Sequence, residues 1–151
     1  MASENSSPNE PQQSMTAFFR QFEARSAAID IGGLVAMYAP SFLMAGPGGT
    51  QVVKASDLAL AIPRRKQLFD AAGCRSTTLR AVDETRLDDR YSLVRTEWEW
   101  MFQRADATTT TIAQPSSFVV DRAAGQIVCY MNHADITAAM LERGLLPDPR
   151  N

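Results

Sequence analysis

The fold is decided by residues 90–102, which read RYSLVRTEWEWMF. Their side chains fall into two alternating sets, Val94, Thr96, Trp98, Trp100 and Phe102 in one and Leu93, Arg95, Glu97, Glu99 and Met101 in the other. Successive side chains of a β-strand point to opposite faces, so this two-residue repeat predicts a long antiparallel strand with one buried face. The chain should therefore build a sheet that packs against other elements on one face.

Further strand patterns lie on both sides of this stretch. The predicted strands cover residues 76–83, 108–113, 116–120 and 127–133. Asp88 and Asp89 supply a turn into the central strand, because short carboxylates bond turn backbone locally. Pro115 cannot donate a ladder hydrogen bond, so a bulge or a sheet edge is predicted at that position.

Helical patterns surround these strands. Helices are predicted over residues 16–28, 30–38, 56–72 and 136–143. Pro40 should end the second helix, Gly73 the third, and Asp135 should cap the last. A short strand pair, residues 41–45 and 51–54, is expected around a turn rich in glycine. The order predicts an α+β fold, with helices packed on one side of a curved antiparallel sheet.

Composition and charge narrow the function classes. The 151 residues are 45% hydrophobic and predict one domain over residues 15–147, with a disordered tail before it and a short tail, 148–151, after it. A net charge of −2 is the wrong sign for a dedicated binder of nucleic acid. No run of about 18 apolar residues exists to cross a membrane. We therefore expect a cytoplasmic protein with neither nucleic acid nor membrane as partner.

Metal-ligating residues are scarce. The chain has two cysteines, Cys74 and Cys129, and a single histidine, His133. A structural zinc site takes four protein ligands, so these residues do not predict one. Cys129 lies inside an apolar strand pattern and fits the role of a small buried apolar side chain, and no pattern indicates a disulfide with Cys74. We expect no metal and no cofactor.

Aromatic and basic side chains suggest a place for a ligand. Trp98 and Trp100 share one strand face and predict an aromatic wall for a flat apolar molecule, completed by Phe42 and Phe102. The same residues could equally form ordinary core. Residues 64–66 read RRK and form a basic cluster that could hold an anion or could simply be a solvated helix face.

His133 and Asp135 are the sharpest catalytic candidates. If the last strand continues through residue 135, their side chains point the same way, and the carboxylate could orient the imidazole as a general base. The alternatives are structural. Asp135 is well placed to cap the last helix, and a histidine at a strand end often makes a structural hydrogen bond.

The chain resembles the nuclear transport factor 2-like superfamily, and within it the SnoaL-like bacterial branch. The resemblance covers residues 16–146 and rests on the order of elements, the strand pair of residues 87–94 and 98–100, and the steps at residues 117–122 and 133–136. It implies a cone whose wide mouth is lined by helices and strands. It also implies a homodimer paired through the outer sheet face.

Ketosteroid-isomerase-like members of that superfamily hold an enolate oxygen with a tyrosine and a neutral acid, and they move the proton with a carboxylate. The resemblance therefore makes Tyr38 a candidate hydroxyl donor. The alternative is that Tyr38 packs in the core beside Val35 and Met37.

Two functions follow from these observations. In the first, the domain binds a small apolar or aromatic molecule and isomerises, cyclises or hydrates it without a cofactor. In the second, the same fold is a non-catalytic interaction or assembly module. An open cavity with converging polar groups favours the first, and a sealed cavity or a broad exposed apolar groove favours the second.

Overall fold

The computed structural model describes residues 14–147. Both predicted tails lie outside the described residues, except for Ser14. The described part is a mixed α+β structure in which one curved six-stranded sheet carries the helices on one side. The predicted fold class is confirmed. None of the helices described between residues 14 and 147 combines the length and apolarity needed to cross a bilayer.

The elements follow one another as two helices, a hairpin, a helix, four long strands and a final helix. The helices are α1 (Met15–Ala28), α2 (Ile31–Val35), α3 (Leu58–Ala71) and α4 (Ile136–Glu142), with a 3-10 turn at Ala55–Asp57 before α3. The strands are β1 (Tyr38–Gly46), β2 (Gly49–Lys54), β3 (Cys74–Arg86), β4 (Tyr91–Gln103), β5 (Thr109–Asp121) and β6 (Gln126–Asn132).

The strands lie in the order β2-β1-β6-β5-β4-β3. All neighbours are antiparallel except β1 and β6, which run parallel, so the expectation of a purely antiparallel sheet is wrong at this one pairing. The alternation in β4 is confirmed. Its inner face, which carries Trp98 and Trp100, is buried, and its outer face, which carries Leu93 and Arg95, is exposed at both of these residues.

The second predicted helix is too long. Asp30 caps α2 by accepting the Gly33 N–H at 3.0 Å, but the helix ends at Val35 and Tyr38 opens β1 instead. Pro40 lies within β1, so it does not end a helix. The β1–β6 pairing shifts register between Tyr38 and Leu43, and the pairing with β2 begins at Ser41. Proline's missing N–H therefore removes no regular ladder bond.

The prediction of a bulge or a sheet edge at Pro115 is wrong. It lies inside β5, between β4 and β6, and its pairing with Glu97 continues the regular register. The Pro115 carbonyl accepts the His133 N–H at 3.4 Å, so the proline nitrogen also faces β6. Pairing with β6 ends next to it, at Ser116 and Asn132. The hydrogen bond that a proline cannot donate is therefore missing at the position where the β5–β6 pairing ends.

Helix α1 covers the inner face of the sheet. Phe19 packs on Phe118 with ring centroids 4.6 Å apart, and Phe22 lies 6.0 Å from Trp98. At the sheet edge, Arg20 donates to the Leu79 carbonyl at 2.8 Å, and Glu23 accepts the Leu79 N–H at 2.7 Å. The β3–β4 register shifts just after Leu79, which leaves these backbone groups to α1.

Gly73 joins α3 to β3 and allows α3 to end close to β4. Its φ of +89° suits glycine, and its carbonyl accepts the Gln103 N–H at 2.9 Å. A Cβ at this position would overlap the backbone carbonyl oxygen of Gln103. A side chain there would therefore push α3 away from the sheet.

We expect Gly73→Ala to lower the free energy of unfolding by at least about 2 kcal/mol, because the left-handed backbone and the overlap both oppose the methyl group. Gly125→Ala is the matched control. Gly125 also has a positive φ, +67°, but open space surrounds its Cβ position, so about 1 kcal/mol is expected. Urea denaturation measures both values. Equal losses would contradict the role given to the Gln103 contact.

Candidate functional site

A cavity of about 390 Å³ lies between the helices and the inner face of the sheet. Trp98 and Trp100 of β4 line it. Five more aromatic side chains come from five other elements: Phe22 of α1, Tyr38 of β1, Phe69 of α3, Phe118 of β5 and Tyr130 of β6. The volume is within the range of small-molecule sites, and the lining offers flat apolar surfaces on several sides.

The aromatic walls are held by specific contacts. The Trp98 indole N–H donates to Thr96 Oγ1 at 2.8 Å, which fixes the ring and satisfies its one donor. Phe118 stacks on Tyr130 with centroids 4.6 Å apart. These contacts leave Trp98 and Phe118 to act as apolar surface.

Two of the predicted pocket residues lie outside the cavity lining. Phe42 is 2% exposed and packs against Tyr38, with ring centroids 4.6 Å apart. Phe102 is fully buried and packs against Phe69 at 6.0 Å. Both belong to the core that supports the wall. Strand alternation assigns a side chain to a face, but the space that the helices leave above that face decides whether it meets a cavity.

Tyr38 is the most distinctive polar group of the site. The side chain is 6% exposed, and within residues 14–147 its hydroxyl makes no hydrogen bond. Burial raises the pKa of Tyr38 well above that of an ordinary tyrosine, with a further rise from Tyr130 and an opposing effect of Arg65. The hydroxyl therefore stays protonated at neutral pH and can donate to a ligand in the cavity.

The raised pKa of Tyr38 predicts a loss of stability in alkali. The unfolded chain releases this proton near pH 10 and the folded chain does not, so the free energy of unfolding falls as the pH rises above 10. The Tyr38 contribution is about 1.4 kcal/mol per pH unit. Urea denaturation between pH 8 and 11.5 should show a shallower decline for Tyr38→Phe. Parallel curves for variant and wild type would disprove the assignment.

Charged side chains surround the cavity mouth. Lys66 binds Asp70 at 2.5 Å, and Glu23 binds Arg20 at 3.1 Å. The Arg65 guanidinium lies over the Phe69 ring, 5.0 Å from its centroid. Of the predicted basic cluster, Arg65 and Lys66 line the cavity with Arg75 of β3, and Arg64 is not part of the lining. Two residues of the predicted basic cluster therefore line the cavity, and the third does not.

His133 and Asp135 lie away from the aromatic cavity, and no hydrogen bond of the described chain joins them. The strand does not continue through residue 135 but ends at Asn132. His133 is exposed, with Nε2 2.7 Å from the Ser117 hydroxyl. Asp135 accepts the Ala138 N–H at 3.1 Å as the cap of α4, and it borders a second cavity beside the β1–β2 turn. Their catalytic role stays a prediction.

Sequence reasoning missed most of the lining. No sequence pattern marked Phe22, Phe69, Phe118 or Tyr130 as facing a cavity. Four separate elements contribute these rings, so only the tertiary structure brings them together. No group of three or more potential metal ligands occurs in the part of the chain that the structure describes.

Comparison with solved structures places the chain within a known fold. An NTF2-like protein with a cystatin-like fold from Novosphingobium aromaticivorans is 17% identical with a TM-score of 0.64, covering 87% of this chain and 86% of that one. A ketosteroid isomerase-like protein from Erwinia carotovora atroseptica is 18% identical with a TM-score of 0.62, covering 83% and 96%.

A third structure, from Shewanella putrefaciens, is named as a SnoaL-like polyketide cyclase. It is 7% identical with a TM-score of 0.57 and covers 87% of this chain and 96% of that one. No protein-family model and no curated protein matches the sequence. The similarity is thus one of fold, and the fold predicted from the sequence is confirmed.

Proposed function

We propose that this chain, which has the nuclear transport factor 2-like fold, binds a small molecule with an apolar, aromatic body in the cavity between its helices and its sheet. The observation that carries the proposal is the aromatic cavity with the unpartnered hydroxyl of the buried Tyr38 at its wall. Fully buried polar groups are normally hydrogen-bonded, so a hydroxyl that faces a cavity without a protein partner is suited to a ligand oxygen.

The chemistry that this site favours needs no cofactor. A protonated hydroxyl in an apolar cavity stabilises negative charge that develops on a carbonyl oxygen, as happens in enolisation, cyclisation and related isomerisations. Tyr38 would supply that hydrogen bond. Two neighbours in fold, named as ketosteroid isomerase-like and as a polyketide cyclase, are consistent with such chemistry. The open, partly polar cavity favours this function over a non-catalytic interaction module.

The experiment blocks the cavity by replacing one alanine of its lining with phenylalanine. Ala61 of α3 lines the cavity, and Ala59, two residues away on the same helix, does not. A ligand that binds only the folded state raises its stability by about 2.7 kcal/mol at 100 times Kd. Thermal shifts with a panel of tetralones, naphthols and steroid ketones should be lost in Ala61→Phe and kept in Ala59→Phe. The proposal fails if both variants respond alike, or if no compound shifts the wild type.

We also propose that two copies pair through the outer face of the sheet. Leu93 and Met131 are each 40% exposed there, and Leu43 is 38% exposed. The same face carries both Arg95 and Glu97, so it can complement itself across a two-fold axis. Apolar side chains among charges of both signs favour an isologous contact.

We expect light scattering after gel filtration to give twice the 16.6 kDa chain mass for the wild type, and a monomer for Leu93→Glu, because a charge within the contact opposes burial. Leu60→Glu is the control. Leu60 is 69% exposed on α3, away from the sheet, so this variant should remain dimeric. A monomeric wild type would exclude the proposed dimer.

A further inference from the structure

We infer that the ligand of this cavity is an aromatic carboxylate, whose charged group lies at the cavity mouth between Arg65 and Arg75. The inference rests on the proposed function and adds to it the charge and the orientation of the ligand. It rests on which charged residues of the cavity lining form ion pairs and which do not.

Five charged residues line the cavity, three of them basic and two acidic. Some of them form ion pairs and others do not. Lys66 and Asp70 neutralise each other at 2.5 Å. The Glu23 carboxylate is occupied by Arg20 at 3.1 Å and by the Leu79 N–H at 2.7 Å. These contacts leave both carboxylates of the lining engaged with other partners.

Arg65 and Arg75 form no ion pair with a carboxylate anywhere in residues 14–147. Two arginines without an ion pair thus line one cavity in a chain whose net charge is −2. Positive charge gathered at a cleft, against the sign of the whole molecule, raises the local concentration of anions.

The position of Arg65 joins this charge to the aromatic wall. Its guanidinium lies 5.0 Å from the centre of the Phe69 ring, and Phe69 meets Trp100 edge to face at 6.2 Å. An acid whose ring rests against Trp100 would therefore hold its charged group near Arg65.

The geometry of the unpaired groups favours a carboxylate. Lys66 is paired with Asp70 and Glu23 with Arg20, so the guanidinium groups of Arg65 and Arg75 are the cations of the lining that remain for an anion. Guanidinium groups also match the planar, two-oxygen geometry of a carboxylate.

The test compares two molecules of nearly equal shape, 2-naphthoate and 2-naphthamide. Isothermal titration calorimetry measures the binding of either compound without a label and without interference from the naphthalene fluorescence. We expect 2-naphthoate to bind the wild type about five- to tenfold more tightly than the amide, with an advantage that shrinks in 0.5 M salt.

Four variants locate the effect. The advantage of the acid should fall to about twofold in Arg65→Gln or Arg75→Gln and vanish in the double variant. Arg64→Gln removes the adjacent charge on the same helix, outside the cavity lining, and should keep the full advantage. The amide should bind all of these variants equally.

The outcomes separate this inference from the proposed function. If the amide binds as well as the acid, or if the double variant still prefers the acid, the ligand need not be anionic and the inference is overturned while an aromatic binding site remains. If neither compound gives a heat of binding at millimolar concentration at either of two temperatures, both proposals are contradicted.

Discussion

Two hydrogen bonds between α1 and the backbone of Leu79 determine where the cavity can form. β3 is an edge strand, and the register shift after Leu79 turns one peptide N–H and one carbonyl away from β4. Glu23 and Arg20, themselves an ion pair, satisfy both groups. Hydrogen bonds to charged side chains contribute about 1.5–3 kcal/mol each, so α1 is fastened at this edge more firmly than by apolar contact alone.

The site combines three environments that follow from this placement. One is the hydroxyl of Tyr38, which is buried and protonated at neutral pH. The second is a set of aromatic side chains, with Trp98 and Trp100 fixed by the pleat of β4. The third is the group of charges that α3 and β3 contribute, and Gly73 joins these two elements where the backbone passes close to Gln103. A molecule bound there would meet apolar surface, one hydroxyl donor and charged groups.

The extent to which the sequence predicts this structure depends on whether the deciding contacts are local. The alternation of residues 90–102 is a property of one strand, and β4 was predicted almost to the residue. Tyr38 was misassigned because its strand depends on β6, some ninety residues later, while the local pattern favours a helix ended by Pro40. The two tryptophans, which the strand alternation put on one face, are among the residues that line the cavity. The other rings could not be found, since no single segment carries more than one or two of them.

The parallel pairing of β1 with β6 has a consequence for the order in which the molecule folds. β6 lies between two halves of the sheet, with the β1–β2 hairpin on one side and β5, β4 and β3 on the other. During synthesis the hairpin has no strand to join until residues 126–132 have left the ribosome, whereas β3, β4 and β5 can pair in sequence. The long chain closure between β1 and β6 is therefore the late and slow step. Tyr38 and Tyr130, which lie on these two strands, become neighbours only when that step is complete.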